Sequence, residues 1–298
     1  MHLEPWLLYA ILAAVFAGLT TILAKIGIEG VNSHLATAIR TVVVVIFAWL
    51  MVLVVGSGRE IVALDGRTWL FLSLSGLSTG ASWLCFFHAL KIGTVSNVSP
   101  LKKSSTVSTM LLAIFVLQET ATVFMWFGIG LIALGTYLML DKKEKLSTEQ
   151  EVETRRQYGW LFWGILAALF ASLTAIFGKI GIEHVDANLG NAIRTMLVLP
   201  TAWVLVFLTG KQKGIRQISR KSWLFLLLSG LATGGSWLFF YRALQIGNAS
   251  LVVPIDKLSI VITIAFARIF FGEKMSPRRL VGLVLLVVGT LLPIVFGI

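Results

Sequence analysis

Apolar residues in this chain come in long unbroken runs, separated by short polar clusters, with no two-residue alternation. In the first half the runs cover roughly Pro5–Ala24, Leu35–Val55, Trp69–Leu90, Val95–Val116 and Ala121–Leu140. In the second half they cover roughly Trp160–Gly178, Leu189–Leu208, Trp223–Leu244, Ala249–Phe271 and Arg279–Phe296. Each has about 20 residues, the length an α-helix needs to cross a bilayer core. Spanning segments must satisfy their backbone internally, and barrel strands are shorter and alternate, so the runs predict helices.

The two halves are copies. At a constant offset of 154 positions, Lys25-Ile26-Gly27-Ile28-Glu29 matches Lys179-Ile180-Gly181-Ile182-Glu183. Ile39-Arg40-Thr41 matches Ile193-Arg194-Thr195, Trp69-Leu70-Phe71 matches Trp223-Leu224-Phe225, and Ser82-Trp83-Leu84 matches Ser236-Trp237-Leu238. From Trp6 to Met110 about half of the positions are identical, without a gap. The organisation is therefore residues 1–140 as one repeat, 141–158 as a charged linker and 159–298 as a second repeat. Five spans is an odd number, so the second copy enters the membrane from the opposite side. Inverted repeats are characteristic of secondary transporters, with a site near the midplane. The expectation is an all-α integral membrane protein: ten transmembrane helices as two inverted five-helix repeats around a central cavity.

Composition agrees. The 298 residues are 57% hydrophobic and 13% charged, with mean hydropathy +0.89. The net charge of +11 falls largely in short loops and forms no continuous basic face, which points away from nucleic acid and toward orientation signals and lipid phosphates. The lone Cys85 excludes an intramolecular disulfide and a multi-cysteine metal site, and reads as a packing residue. No HExxH, P-loop or GxSxG pattern occurs, so neither catalysis nor ATP-driven pumping is expected, and no cofactor.

Lys and Arg crowd one side by parity: Lys142, Lys143, Lys145, Arg155 and Arg156 in the linker, a second group from Lys211 to Lys221, and Lys274, Arg278 and Arg279. The other side holds Arg59, Arg67 and Lys179. The positive-inside rule then places the linker in the cytoplasm and both termini outside, in a cell (inner) membrane.

Charge inside the spans carries the candidate chemistry. Ser96-Asn97-Val98-Ser99-Pro100-Leu101-Lys102-Lys103-Ser104-Ser105 lies within the fourth run, and Ser250 to Ser259 repeats it in the ninth. On a helix Lys102, Ser105 and Thr109 share a face, and so do their equivalents Asp256, Ser259 and Thr263. The charge is reversed between copies, so Lys102 and Asp256 can pair across the pseudo-twofold. Lys103 and Lys257 are the same in both copies. Pro100 and Pro254 can open the helix just before these charges. A transport site is preferred; a structural ion pair with two snorkelling lysines is the bland reading.

In the third and eighth runs Thr79, Ser82 and Trp83, matched by Thr233, Ser236 and Trp237, form a polar and aromatic face, with Tyr241 one turn beyond Trp237. This face suits a mixed pocket, or helix–helix hydrogen bonding. Gly76/Gly80 and Gly230/Gly234 have the spacing of close helix packing. Arg40 and Arg194 are expected to snorkel to headgroups, with lining of the cavity mouth as the alternative; His88 and Arg242 near the span ends are expected to snorkel too, with a pH-sensitive role the alternative for His88. Lys25 and Lys179 are expected to anchor their spans, with Gly27 and Gly181 as helix stops, and Glu119 and Glu273 to cap the fifth and tenth helices.

The hairpins Leu117-Gln118-Glu119-Thr120 and Phe271-Gly272-Glu273-Lys274, the glycines Gly128, Gly135, Gly282 and Gly289, and the Ala89-Leu90…Ile92-Gly93 and Ala243-Leu244…Ile246-Gly247 patterns resemble the EamA family of the drug/metabolite transporter superfamily. The Lys25–Glu29, Ile39–Thr41 and Pro254–Ser259 stretches further resemble half-size, one-repeat members of it, as if two such units were fused. The resemblance covers almost the whole chain. It implies a ten-helix bundle with a cavity lined by the first, third, fourth, sixth, eighth and ninth spans, and export or exchange of small metabolites without ATP. Two departures stand out: ten-span relatives usually begin in the cytoplasm, and Lys102 replaces an acidic residue that survives at Asp256.

The reading is a secondary transporter of a small polar, anionic or zwitterionic metabolite, as monomer or homodimer, in contact with lipid and with no nucleic-acid partner. Its substrate-binding candidates are Lys102, Lys103, Ser105, Asp256, Lys257, Ser259, Thr79, Trp83, Thr233, Trp237 and Tyr241. A flippase for a lipid-linked substrate and a non-transporting membrane scaffold are the alternatives. Membrane-impermeant thiol labelling of cysteines placed at the two termini should react from outside, and a cysteine in 141–158 only after permeabilisation; the reverse pattern contradicts the orientation.

Overall fold

The computed structural model describes residues 4–92, 104–139, 159–271 and 275–296. Among the described residues the regular structure is helical and no strand occurs. The helices are α1 (Pro5–Gly27), α2 (Ser33–Val55), α3 (Gly66–Ile92), α4 (Ser105–Val116), α5 (Val123–Leu138), α6 (Gly159–Gly181), α7 (Ala187–Leu208), α8 (Arg220–Ile246), α9 (Ala249–Lys257), α10 (Ser259–Phe271) and α11 (Pro277–Phe296). Eight stretches among the described residues are long and apolar enough to cross a membrane, α9 with α10 counting as one; α4 and α5 are shorter apolar helices. The chain is thus a multi-pass membrane protein by helix length and composition.

Local chemistry sets the helix ends. Asn32 and Asp186, at equivalent positions, each accept an N-terminal backbone N–H, 3.0 Å from His34 N and 3.1 Å from Asn188 N. Gly56 (φ +79°) and Gly210 (φ +66°), also equivalent, take the left-handed conformation that ends α2 and α7 and starts the 3₁₀ turns Ser57–Ala63 and Lys211–Gln217. The expected cap on α5 is corrected: Thr122, not Glu119, accepts from Met125 N, because Glu119 lies three residues further upstream. Glu273 lies outside the described residues.

The described chain forms two compact units, residues 1–80 with 177–273 and residues 81–176 with 274–298. In the first, α8 packs along α1 and α2, α7 packs on α2, and α1 also meets α9 and α10. Its logic is exchange between copies, and the small residues permit it. A Cβ on Gly76 of α3 would lie 2.7 Å from the carbonyl oxygen of Arg194 and 2.9 Å from Leu197 Cβ, both on α7. Its equivalent Gly230 on α8 would meet Val43 Cβ at 2.6 Å, and Val43 is the equivalent of Leu197. Gly80 and Gly234 repeat the relation with Thr201 and Phe47. The third helix of each copy therefore seats its small-residue stripe on the second helix of the other, which confirms the packing role of these glycines.

In the second unit α5 and α11 are the main partners. Gly135 and Gly282 face each other reciprocally: a Cβ on either would sit 2.6–2.7 Å from the other's carbonyl oxygen. Gly128 and Gly289 do the same one level along. These are backbone atoms, which cannot yield as a side chain can. Gly135→Ala should therefore cost about 1–3 kcal/mol, whereas Gly130→Ala, where an added Cβ meets nothing within 4 Å, should be close to neutral. Thermal unfolding of both variants in detergent checks this.

Candidate functional site

Arg194 on α7 is the most deeply buried cation among the described residues, at 3% exposure. Its Nε donates to Ser75 Oγ at 3.1 Å and its Nη2 to Thr79 Oγ1 at 2.8 Å, both on α3. Thr79 in turn donates to the Ser75 carbonyl at 3.0 Å. The rings of Trp237 and Tyr241 on α8 lie against the guanidinium, with centroids 4.7 and 5.0 Å from Cζ. No carboxylate among the described residues forms an ion pair with it. Nη1 of Arg194 and the hydroxyl of Tyr241 (2% exposed) are buried without a hydrogen-bond partner. The expected snorkelling of Arg194 is thus overturned: α3 offers two hydroxyls and α8 two aromatic faces, so the cation turns inward and is solvated by protein.

Arg40 on α2 occupies the equivalent position and is dressed differently. Its Nη2 donates to Thr233 Oγ1 at 2.9 Å, again reaching the other copy's third helix, while its Nε is buried without a partner. Ser229, the equivalent of Ser75, turns its hydroxyl to the Thr20 carbonyl at 3.0 Å. Arg40 is only half-buried. Here too the side chain is held by the other copy, not by headgroups.

The ninth run breaks. α9 ends at Lys257, Leu258 forms a turn with its N–H on the Ile255 carbonyl at 2.9 Å, and α10 starts at Ser259. Pro254 lies within α9, so the break follows the charges where the proline was expected to open the helix before them. Asp256 is 9% exposed, and its Oδ2 accepts from Lys257 Nζ at 2.9 Å. The adjacent lysine is its partner; Lys102 and Lys103 lie outside the described residues, so the proposed Lys102–Asp256 pair does too. Lys257 is itself exposed.

The remaining candidates divide. Ser82 donates to the Ala167 carbonyl at 2.7 Å and Ser236 to the Ala13 carbonyl at 3.0 Å. These equivalent bonds tie each third helix to the other copy's first, the packing reading of that face. Thr79 and Thr233 receive the two arginines, and Trp237 and Tyr241 flank Arg194. Ser105 is buried and its carbonyl accepts from Ser172 at 3.0 Å, while Trp83 and Ser259 are half-buried. Lys179 is also redirected: its Nζ donates to the carbonyls of Leu244, at 2.9 Å, and Gly247, capping the end of α8. His88 and Arg242 are exposed, in keeping with span-end positions.

Apolar helices of crossing length, with a buried guanidinium and an acid–base pair set among them, define a multi-pass membrane protein built from two copies of one unit. The model of the EamA-like transporter family matches residues 4–141 and again 158–295, and the chain belongs to that family. An uncharacterized transporter in the cobO 3′ region of a Sinorhizobium species is 43% identical over 137 residues, covering 46% of this chain and 97% of that protein, so it corresponds to one copy. Mouse solute carrier family 35 member G1 is 25% identical over 295 residues, covering 95% of this chain and 76% of that protein. A solved crystal structure superposes at a TM-score of 0.74 with 16% identity over 96% of each chain, a likeness of fold.

The two arginine anchors differ in burial, and that difference is measurable. Thr79→Val leaves a buried charged donor unpaired and should lower stability by about 1–3 kcal/mol. Thr233→Val, facing the half-buried Arg40, should cost less. Equal costs in detergent unfolding contradict the assignment.

Proposed function

We propose that the chain is a secondary transporter that moves a small polar, anionic or zwitterionic metabolite by alternating access, in a cell membrane with the 141–158 linker in the cytoplasm. The observation that carries this is the helix break at Leu258 directly after Asp256 and Lys257. In membrane transporters, interrupted helices commonly expose backbone and charged groups to cargo near the bilayer midplane, and irregular backbone is tolerated there only where it lines a cavity or is buried in protein. The Asp256–Lys257 pair is compact and neutral overall, with the lysine end exposed. A substrate anion competes with Asp256 for Lys257, and a substrate amine competes with Lys257 for Asp256. A zwitterion makes both exchanges at once and so leaves neither side chain unpaired, whereas an anion alone has to leave Asp256 within reach of Lys257. Membership of a transporter family and the two tandem copies support the same reading. Lys102, Lys103, Ser105 and Ser259 remain candidates for the first copy's share of the site and its echo in the second.

Purified protein in proteoliposomes, tested for counterflow with a panel of amino acids, organic acids and amines, checks the proposal. Lys257→Ala and Asp256→Asn should each lower flux of the transported solute at least tenfold, while Lys213→Ala in the basic loop leaves it unchanged. Flux unaffected by both site variants contradicts the reading.

A further inference from the structure

Two unsatisfied donors and one uncompensated charge meet at Arg194. The guanidinium carries +1 with no carboxylate partner among the described residues. Its Nη1 and the Tyr241 hydroxyl are both buried hydrogen-bond donors lacking an acceptor. They lie in one small neighbourhood. A point where a Cβ of Gly178 on α6 would stand is 2.9 Å from Tyr241 Oη and 3.3 Å from Ser75 Oγ, and Ser75 Oγ is 3.1 Å from Arg194 Nε. Gly178 thus lets α6 close on the Tyr241 ring edge and hydroxyl, where an added methyl group would collide.

The two copies show that this arrangement is particular to one of them. The arginine is present in both, as Arg40 and Arg194, and so is the serine, as Ser75 and Ser229. The equivalents of Gly178 and Tyr241 are Ala24 and Phe87. The second copy therefore has both a missing methyl and an added hydroxyl, at positions that touch. The close approach of Tyr241 accounts for the glycine, but packing does not favour the hydroxyl, because a buried hydroxyl without an acceptor costs its desolvation. The hydroxyl and Nη1 are two buried donors beside one fixed cation.

We infer that Arg194 and Tyr241 form a binding site for the carboxylate of a monoanionic solute, one oxygen accepting from Arg194 Nη1 and the other from the Tyr241 hydroxyl. Charge decides the valence. One negative charge neutralises the guanidinium, whereas a dianion would leave a net negative charge buried. Trp237 and Tyr241 supply apolar faces on which the body of the ligand rests. The inference rests on the transporter reading at one point only, that the bound carboxylate is cargo.

Benzoate and its neutral isostere benzamide are the probes, with sodium chloride at matched ionic strength as baseline. The purified full chain in detergent should show a saturable rise in unfolding temperature with benzoate and none with benzamide or chloride. Tyr241→Phe removes the hydroxyl and keeps the ring, as the first copy does at Phe87. This variant should unfold at or above the wild-type temperature, because it removes an unsatisfied hydroxyl, yet bind benzoate at least tenfold more weakly. Absence of a benzoate-specific shift in the wild type, or benzoate binding retained by Tyr241→Phe, overturns the site. Counterflow in proteoliposomes separates the two claims. Solute flux without benzoate binding overturns the carboxylate site and leaves the transporter reading. Benzoate binding with no flux of benzoate or any panel solute supports the site and overturns the transporter reading.

Discussion

A guanidinium buried among apolar helices, with no carboxylate paired to it among the described residues, is the constraint around which this fold is arranged. Moving an unpaired cation out of water is expensive unless the protein replaces its hydration. Around Arg194 the replacement comes from two hydroxyls of α3 and two ring faces of α8. α3 comes from one copy, whereas α7 and α8 come from the other. The α3 hydroxyls reach the guanidinium because Gly76 and Gly80 let α3 approach α7 closely. The glycine stripe, the serine–threonine ladder and the arginine are thus one device, and each requires the other two.

The device appears twice, and the comparison is informative because the sequence equivalence is free of gaps. Contacts repeat with the same partners: Ser82 to Ala167 and Ser236 to Ala13, Gly27 against Leu226 and Gly181 against Leu72, Arg194 to Thr79 and Arg40 to Thr233. This is the pattern expected of two copies that each complete the other. Where contacts do not repeat, the copies have separated in role. Ser75 serves Arg194, while Ser229 serves a backbone carbonyl of α1. One arginine is fully enclosed and the other half-buried.

Much of the fold was legible in the sequence because long apolar runs and a repeat at one offset are one-dimensional signals. The spacing of Gly76 and Gly80 announced close packing, and close packing is found. The fate of the polar side chains was not legible in the same way. Helical periodicity says that Thr79, Ser82 and Trp83 share a face, but not which helix lies opposite. Arg194 looked like a snorkelling residue because its depth depends on tertiary partners far along the chain, Ser75 and Thr79 on α3 and Trp237 and Tyr241 on α8. Lys179 was misread for the same reason: its acceptors are carbonyls of α8 and the turn after it, which no pattern near Lys179 indicates. The break at Leu258 also escaped, since Pro254 is accommodated within α9 and the interruption comes after the charges it was expected to precede. One signal was available and unused: Gly178 and Tyr241 are differences between copies on otherwise matched helices.

The central claim is that each copy solvates the other's arginine. A double-mutant cycle on Arg194→Gln and Thr79→Val, measured by unfolding in detergent, tests it most directly, because it isolates the pair from the rest of the bundle. The account predicts a coupling of about 1 kcal/mol or more, as expected for a hydrogen bond to a buried charged group. Strict additivity of the two substitutions would contradict it.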